Sequence, residues 1–106
     1  METYTDFWPY YLGQHSKRSA RLLHVAGTLL ALLALFMGIF SLSILWLLAA
    51  PVIGYGFAFA AHSLIENNKP ATFAHPLWSL RGDLHMLILW LTGRLEAELV
   101  RNKLLT

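Results

Sequence analysis

The sequence predicts an all-α integral membrane protein, a helical hairpin flanked by interfacial N-terminal and C-terminal helices. Hydrophobic residues make up 57% of the chain and charged residues only 13%, which is about half the charged share of a soluble globular domain. No Asp, Glu, Lys or Arg occurs in the 44 residues between Arg21 and Glu66, and roughly 20 apolar residues suffice to cross a bilayer once. Because no change in composition marks a boundary, we expect residues 1–106 to form a single membrane domain.

The segment before the apolar run is rich in aromatic residues. Rings that are apolar with one polar edge are typical of the headgroup level of a membrane, so this segment predicts an interfacial helix. The aromatic residues are Phe7, Trp8, Tyr10 and Tyr11. Since the first apolar run starts only at Val25, we do not expect a cleaved signal peptide.

The charge-free run is too long for one crossing. As a single helix it would extend about 66 Å, roughly twice the hydrocarbon thickness, so the chain must turn back. The best break is at residues 41–43, which predicts transmembrane helices over about 21–40 and 44–64. A break at Pro51 would leave only about 15 Å of helix before His62, too short to return. We therefore interpret Pro51 as a kink inside the second helix.

The second helix contains several small residues, which allow close approach of two helix backbones. They are Gly54, Gly56, Ala58, Ala60 and Ala61. We expect this helix to pack tightly on the first helix or on a second copy of the chain. The second alternative would make the protein a homo-oligomer.

The C-terminal part predicts a loop and one further helix. Pro70 and Pro76 indicate a loop from Asn67 to about Trp78. The last helix is expected over about 80–103. Its apolar stretch, 84–91, is too short to cross a bilayer, so we place the helix on the membrane surface or partly re-entrant.

Basic residues flank the hairpin, whereas its turn is uncharged. Lys17, Arg18 and Arg21 precede it, and Lys69 and Arg81 follow it. The positive-inside rule then places both termini in the cytoplasm. Because no aromatic residues interleave these scattered charges, we expect membrane lipids as partners and no nucleic acid. The chain has no cysteine, so a metal would have to be held by histidine, carboxylate or amide groups.

The hairpin brings distant histidines to one face of the membrane. His24 opens the first helix and His62 closes the second, so the two can meet. The other three histidines fall in flanking segments on that side: His15, His75 and His85. His62 and Glu66 are four residues apart, and on one helical face they would serve as two metal ligands or as a ligand and its orienting partner.

Simpler roles compete with these interpretations. His75 and His85 are more often interfacial anchors, and Glu66 has possible ion-pair partners in Lys69 and Arg81. Asp83 is expected to lie in the first turn of the last helix, where an acid favours the positive end of the helix dipole. For His24 and His62 the functional interpretation is stronger, because ionisable groups at membrane depth are usually functional.

The sequence also resembles a known family. Its string Tyr11-x3-His15-x8-His24-x2-Gly27, followed by Gly54-Tyr55-Gly56 and His62-x3-Glu66-x-Asn68-x-Pro70-Ala71, is similar to the membrane family of fungal 2-hydroxy fatty acid dioxygenases, in particular to short bacterial members. The resemblance covers about residues 7–90. Its most specific parts are the block 62–73, Pro76-Leu77-Trp78-Ser79-Leu80 and Gly82-Asp83.

The resemblance implies an iron(II) enzyme of the endoplasmic reticulum or a bacterial inner membrane that uses dioxygen to shorten 2-hydroxy fatty acids by one carbon. It implies His15, His24 and His62 as metal ligands. Glu66 and His85 are further candidate ligands, with His75 as another option. Glu66 and Lys69 are the candidate catalytic residues, and either Lys69 or Arg81 would neutralise the substrate carboxylate.

Two departures from the family pattern bear on this interpretation. Longer members carry a further histidine between the two helical regions, where this chain has only the turn at 41–43. The asparagine usual before the second histidine is Ala20 here.

The alternative function is that of a non-enzymatic membrane protein, a lipid-binding or assembly factor with interfacial histidines. A proton or metal-ion carrier is disfavoured because no charged residue lies in mid-membrane.

Overall fold

The computed structural model describes residues 2–69, 74–102 and 104, and over these residues the chain is all-helical with no strand. The expected all-α class is therefore confirmed. A π-helical turn at Ala61–Glu66 continues the third helix. The five α-helices are α1 (Tyr4–Gly13), α2 (Arg18–Ser41), α3 (Ile44–Ala60), α4 (Pro76–Leu91) and α5 (Leu95–Arg101).

The chain reverses between α2 and α3 where the sequence predicted the break. Leu42 adopts a left-handed conformation with φ of 54°, and the backbone N–H of Ser43 donates to the carbonyl of Gly38 over 3.0 Å. A left-handed residue that closes such a bond is a common way to end a helix. Pro51 lies inside α3, which continues through it.

Glycines let α2 and α3 pack along their whole length. A Cβ atom at Gly27 would lie 2.2 Å from Cβ of Phe57, and one at Gly38 would lie 2.7 Å from Cδ2 of Leu47. These two contacts, at opposite ends of the pair, show that the helices run antiparallel in close contact. Small residues at helix crossings allow this approach.

Two helical stretches, Arg18–Ser41 and Ile44–Glu66, are long and apolar enough to cross a membrane. Their large side chains are mostly not covered by the rest of the described chain. Phe40 is 73% exposed, Leu45 75% and Val52 71%. A continuous apolar surface of this kind calls for contact with lipid or another apolar partner.

The buried core lies at the open end of the hairpin, where α1, α4 and α5 pack together. Its members are Phe7, Trp8, Tyr11, Leu12, Val25, Met86, Leu87, Leu95 and Leu99. Nε1 of Trp8 donates to Oε1 of Glu98 over 2.9 Å and so ties α1 to α5. The aromatic side chains of α1 are therefore part of the buried core.

The C-terminal region differs from the expected single helix over about 80–103. It is broken after Leu91, because Gly93 takes a φ of 71° that interrupts the helix before α5 begins. Helix α4 starts at Pro76, inside the expected loop, since proline is well suited to the first turn of a helix. Lys103, Pro70, Ala71 and Phe73 lie outside the described residues.

Candidate metal centre

Three histidines meet at the open end of the hairpin. His15 lies between α1 and α2, His24 in α2 and His62 in the π-helical turn, and their exposed fractions are 1%, 5% and 1%. One nitrogen from each ring lies within 4.8 Å of the others. The ring centroids are 4.7 Å apart for His15 and His24 and 4.5 Å apart for His15 and His62. The group is therefore close enough to hold one metal ion.

The tautomer of His15 is set by its backbone neighbour. Nδ1 of His15 lies 2.8 Å from the carbonyl oxygen of Tyr11, and a carbonyl can only accept, so Nδ1 carries the hydrogen. The lone pair is then on Nε2, which is buried and has no hydrogen-bond partner among the described residues. Burial, together with the nearby charges of His24 and His62, lowers the pKa of His15 well below its usual value. His15 is thus neutral at pH 7, as a metal ligand must be.

His62 is oriented in the same way by an amide. Nδ1 of His62 lies 2.6 Å from Oδ1 of Asn68, while Nδ2 of Asn68 donates to the carbonyl of Gln14 over 3.1 Å. Because the amide nitrogen is committed to a carbonyl, its oxygen faces His62 and Nδ1 of His62 must donate. This leaves Nε2 of His62 free to bind metal, the arrangement typical of metal-binding histidines.

The π-helical turn makes the His62–Asn68 pair possible. A π-helix has a wider turn than an α-helix and is frequent at functional sites. It ends at Asn67, which is left-handed with φ of 58°, and the N–H of Asn68 returns to the carbonyl of His62 over 2.9 Å. The chain thereby folds back over His62.

Asp83 reaches the histidines from α4. Its Oδ1 lies 3.4 Å from Nε2 of His24 and accepts a hydrogen bond of 2.5 Å from the hydroxyl of Tyr11. Burial raises the pKa of Asp83 to about 6, against the lowering effect of the Tyr11 hydrogen bond. The expectation that Asp83 lies in the first turn of its helix is wrong, because α4 begins at Pro76.

Arg21 of α2 bonds to the backbone segment that carries His15. It is only 7% exposed, and its Nη1 donates to the carbonyls of His15 and Ser16 over 2.8 and 2.9 Å. Burial of a guanidinium is tolerated when carbonyl oxygens satisfy it. Arg21 thus fixes the α1–α2 junction that carries His15, a role that the sequence did not indicate.

Glu66 lies beside the centre rather than in it. Its two carboxylate oxygens accept from the hydroxyl of Ser16 over 2.7 Å and from the backbone N–H of Lys17 over 2.6 Å. The expected pairing of Glu66 with His62 is replaced by other contacts, because both oxygens of Glu66 bond to the start of α2 and Nδ1 of His62 bonds to Asn68. Lys69 is exposed and follows Asn68.

His75 and His85 are not brought to the three histidines. The ring of His85 stacks on Trp8 with centroids 3.8 Å apart, and its Nδ1 lies 3.1 Å from the hydroxyl of Tyr4. His75 stacks on Trp78 with centroids 5.0 Å apart. Both belong to the aromatic packing around α1.

The donor set fits a divalent transition metal. Nε2 of His15 and Nδ1 of His24 are buried without a partner among the described residues, and an unsatisfied buried polar atom is destabilising. A metal ion held by the three rings would satisfy Nε2 of His15. Imidazole ligands suit zinc, copper, iron and nickel alike, so the geometry supports a metal without selecting one.

Comparison with known proteins gives the family. A family model described as "2-hydroxy-palmitic acid dioxygenase Mpo1-like" matches residues 1–95 of the chain. No curated protein and no solved structure matches it. The family match includes all three clustered histidines as well as Asn68 and Asp83. The resemblance seen in the sequence is confirmed, and the chain belongs to the Mpo1-like family.

Proposed function

We propose that this protein is a membrane-embedded, iron(II)-dependent dioxygenase that shortens 2-hydroxy fatty acids by one carbon. The observation that carries the proposal is the group of three buried histidines, whose donor nitrogens lie within 4.8 Å of one another. The family description supports both the substrate class and the use of dioxygen.

The proposed reaction balances without a further reductant. One 2-hydroxy acid and one dioxygen give the acid that is one carbon shorter, carbon dioxide and water. The bond between C1 and C2 breaks, C2 is oxidised to the new carboxyl carbon, and dioxygen takes up the electrons released. Iron(II), when bound, would supply the one-electron chemistry that lets dioxygen react with the organic substrate.

The protein's own residues would hold the metal and position the substrate. His15, His24 and His62 are the proposed ligands, and Asp83 stands beside His24. We assign neutralisation of the substrate carboxylate to Lys69, because the guanidinium carbon of Arg81 already lies 3.9 Å above the ring of Tyr4.

For Glu66 we propose a positioning role. Its hydrogen bonds to Ser16 and Lys17 join the π-helical turn of His62 to the start of α2, where a negative charge is also favoured by the helix dipole. The carboxylate would thus keep His62 close to His15. A direct role of Glu66 or His85 as a ligand would require both side chains to leave their present partners.

The proposed location is a bacterial inner membrane with both termini in the cytoplasm. The support is the family resemblance, the two apolar helices and the basic residues on one side of the hairpin. Lipids and 2-hydroxy fatty acids would then reach the histidines at headgroup depth.

The test combines metal content with product formation. Protein purified without oxygen in mild detergent should take up one iron(II) for each chain and, with 2-hydroxypalmitic acid and dioxygen, release the acid that is one carbon shorter. His62→Ala should lose both properties, whereas His75→Phe, which keeps an aromatic ring against Trp78, should keep both. Absence of product and of bound iron would favour the lipid-binding or assembly factor instead.

A further inference from the structure

A groove runs along the hairpin and is bounded by α2, α3 and α4. Its volume is about 400 Å³, within the range of roughly 300–1,000 Å³ that is usual for small-molecule pockets. Thr28, Ala31 and Leu35 line it from α2, Ala50 and Gly54 line it from α3, and Asp83 of α4 lines it as well.

Small residues create the space. Ala50, Gly54 and Ala58 follow one another at intervals of four residues and so share one face of α3. All three line the groove. A Cβ atom added at Gly54 would lie 3.3 Å from Cβ of Ala31, so the two helix backbones form a shallow floor there. Larger side chains at these positions would fill the groove.

The polarity of the groove changes along its length. Thr28 and Ala58 lie opposite each other at the end of the groove nearer the open end of the hairpin, since the neighbouring residues Gly27 and Phe57 are in contact. Asp83 joins this end, and its carboxylate is 3.4 Å from His24. About 10 Å further along α2, two turns of helix away, the lining includes Leu35.

We propose that the alkyl chain of the 2-hydroxy fatty acid lies in this groove while its carboxylate and hydroxyl groups face the three histidines. The inference rests on the proposed function and adds the chain site to it. A molecule with one polar end and a long apolar tail matches this groove, which has the carboxylate of Asp83 at one end, 3.4 Å from His24, and a mostly apolar lining beyond it. Gly54 and Ala31 are then the residues that determine whether a long chain fits.

Two glycines of α3 provide a matched test. Gly54→Leu places a side chain in the groove, whereas Gly56→Leu makes the same change where an added Cβ meets nothing within 4 Å. For 2-hydroxypalmitic acid, Gly54→Leu should raise KM about tenfold, the effect expected when a hydrophobic pocket is made too small. For a short chain such as 2-hydroxybutyric acid both variants should resemble the wild type. Equal KM values for the two variants with the long chain would overturn the proposal.

A second pair covers the case in which Gly54→Leu fails to fold. Leu32 and Leu33 are adjacent, and their exposed fractions are 37% and 53%, but only Leu32 lines this groove. Leu32→Trp should raise KM for the long chain and Leu33→Trp should not. The same change in both variants would count against the groove.

A labelling experiment separates failure of the chain site from failure of the proposed function. A long-chain 2-hydroxy fatty acid with a photoreactive diazirine near its tail is bound to the full chain in detergent, and the labelled residues are identified. Labelling at Leu35 or Ala50 that is stronger than with the matching acid without the hydroxyl supports the site, even if no turnover is found. Labelling elsewhere would overturn the site. Equal labelling of the groove by both acids would also overturn it and would identify ordinary lipid chains as the occupants.

Discussion

The imidazole of His62 and the side-chain amide of Asn68 form one unit, with Nδ1 of His62 only 2.6 Å from Oδ1 of Asn68. The amide is in turn fixed by the carbonyl of Gln14 at the end of α1. The orientation of His62, a proposed ligand at the end of the second membrane-length helix, thus depends on the first short helix. Metal binding and the docking of α1 should therefore be coupled.

Replacing the amide tests this coupling. Asn68→Ala should weaken metal binding about 10- to 100-fold, the usual effect of removing a partner that orients a metal-binding histidine. Asn68→Asp keeps an acceptor for Nδ1 of His62 but loses the donor to the carbonyl of Gln14, so its affinity should lie between those of the wild type and Asn68→Ala. Cobalt(II) titration in detergent, followed by visible absorption, measures both.

The matched control for this change is Asn102→Ala, since Asn102 bonds to Glu98 of α5, away from the histidines. It should bind cobalt like the wild type. Unchanged affinity in Asn68→Ala would show that the amide does not hold His62 in the metal-binding orientation.

Close packing of α2 on α3 should also control the metal centre. A methyl group at Gly27 would lie 2.2 Å from Cβ of Phe57, so Gly27→Ala must push the helices apart. Overpacking of this kind destabilises by about 1–3 kcal/mol. Because Gly27 lies one turn from His24, the same displacement should separate His24 from His62 and weaken metal binding.

The comparison variant is Gly56→Ala, whose added methyl meets nothing within 4 Å. Melting temperatures in detergent and cobalt titrations should show a loss for Gly27→Ala alone. If both variants melted and bound cobalt alike, the contact between Gly27 and Phe57 would not hold the hairpin together.

The sequence was informative about the hairpin because the signals are local. A charge-free run of 44 residues must turn back in a bilayer, and the turn then places His24 beside His62. The positions of the supporting groups depend on tertiary contacts. Asn68 meets His62 across the end of the π-helical turn, and Asp83 reaches His24 because α4 packs on α2.

One signal for Asp83 was present in the sequence. Gly82 and Asp83 stand together in the part of the chain that is most specific for the family. A Cβ atom at Gly82 would lie 3.0 Å from the ring of Tyr11, so the glycine lets α1 approach α4 closely enough for Tyr11 to bond with Asp83. A glycine beside an acidic residue is thus a sign of close helix packing next to an acid. It does not show that Tyr11 and His24 would be the neighbours of Asp83.

The stability of the metal-free protein should depend on pH through His15 and Asp83 in opposite directions. The folded-state pKa of His15 is lowered, so as pH falls through 6.5 the unfolded chain takes up a proton that the folded chain does not, and stability decreases. The pKa of Asp83 is raised to about 6 from 3.8. As pH falls through 6 the folded chain takes up this proton first, which increases stability.

The variant Asp83→Asn isolates the second effect. It lacks the stabilising proton uptake, so between pH 6 and pH 4 it should lose stability more steeply than the wild type, by up to about 1.4 kcal/mol for each pH unit. Melting temperatures of metal-free protein in detergent at several pH values measure the difference. Parallel curves for the two proteins would mean that Asp83 is not protonated earlier in the folded chain.

The proposed membrane topology can be tested with single cysteines, because the natural chain has none. Ser41→Cys lies at the exposed end of α2, next to the turn that leads to α3, and Glu2→Cys lies in the exposed N-terminal segment. With both termini in the cytoplasm, a maleimide that cannot cross membranes should label Ser41→Cys in bacterial cells with a permeabilised outer membrane, and Glu2→Cys only after the inner membrane is opened. Labelling of Glu2→Cys first, and of Ser41→Cys only after the inner membrane is opened, would show that the orientation is the opposite of the proposed one. Labelling of both cysteines while the inner membrane is still closed would mean that the two apolar helices do not cross it as a hairpin.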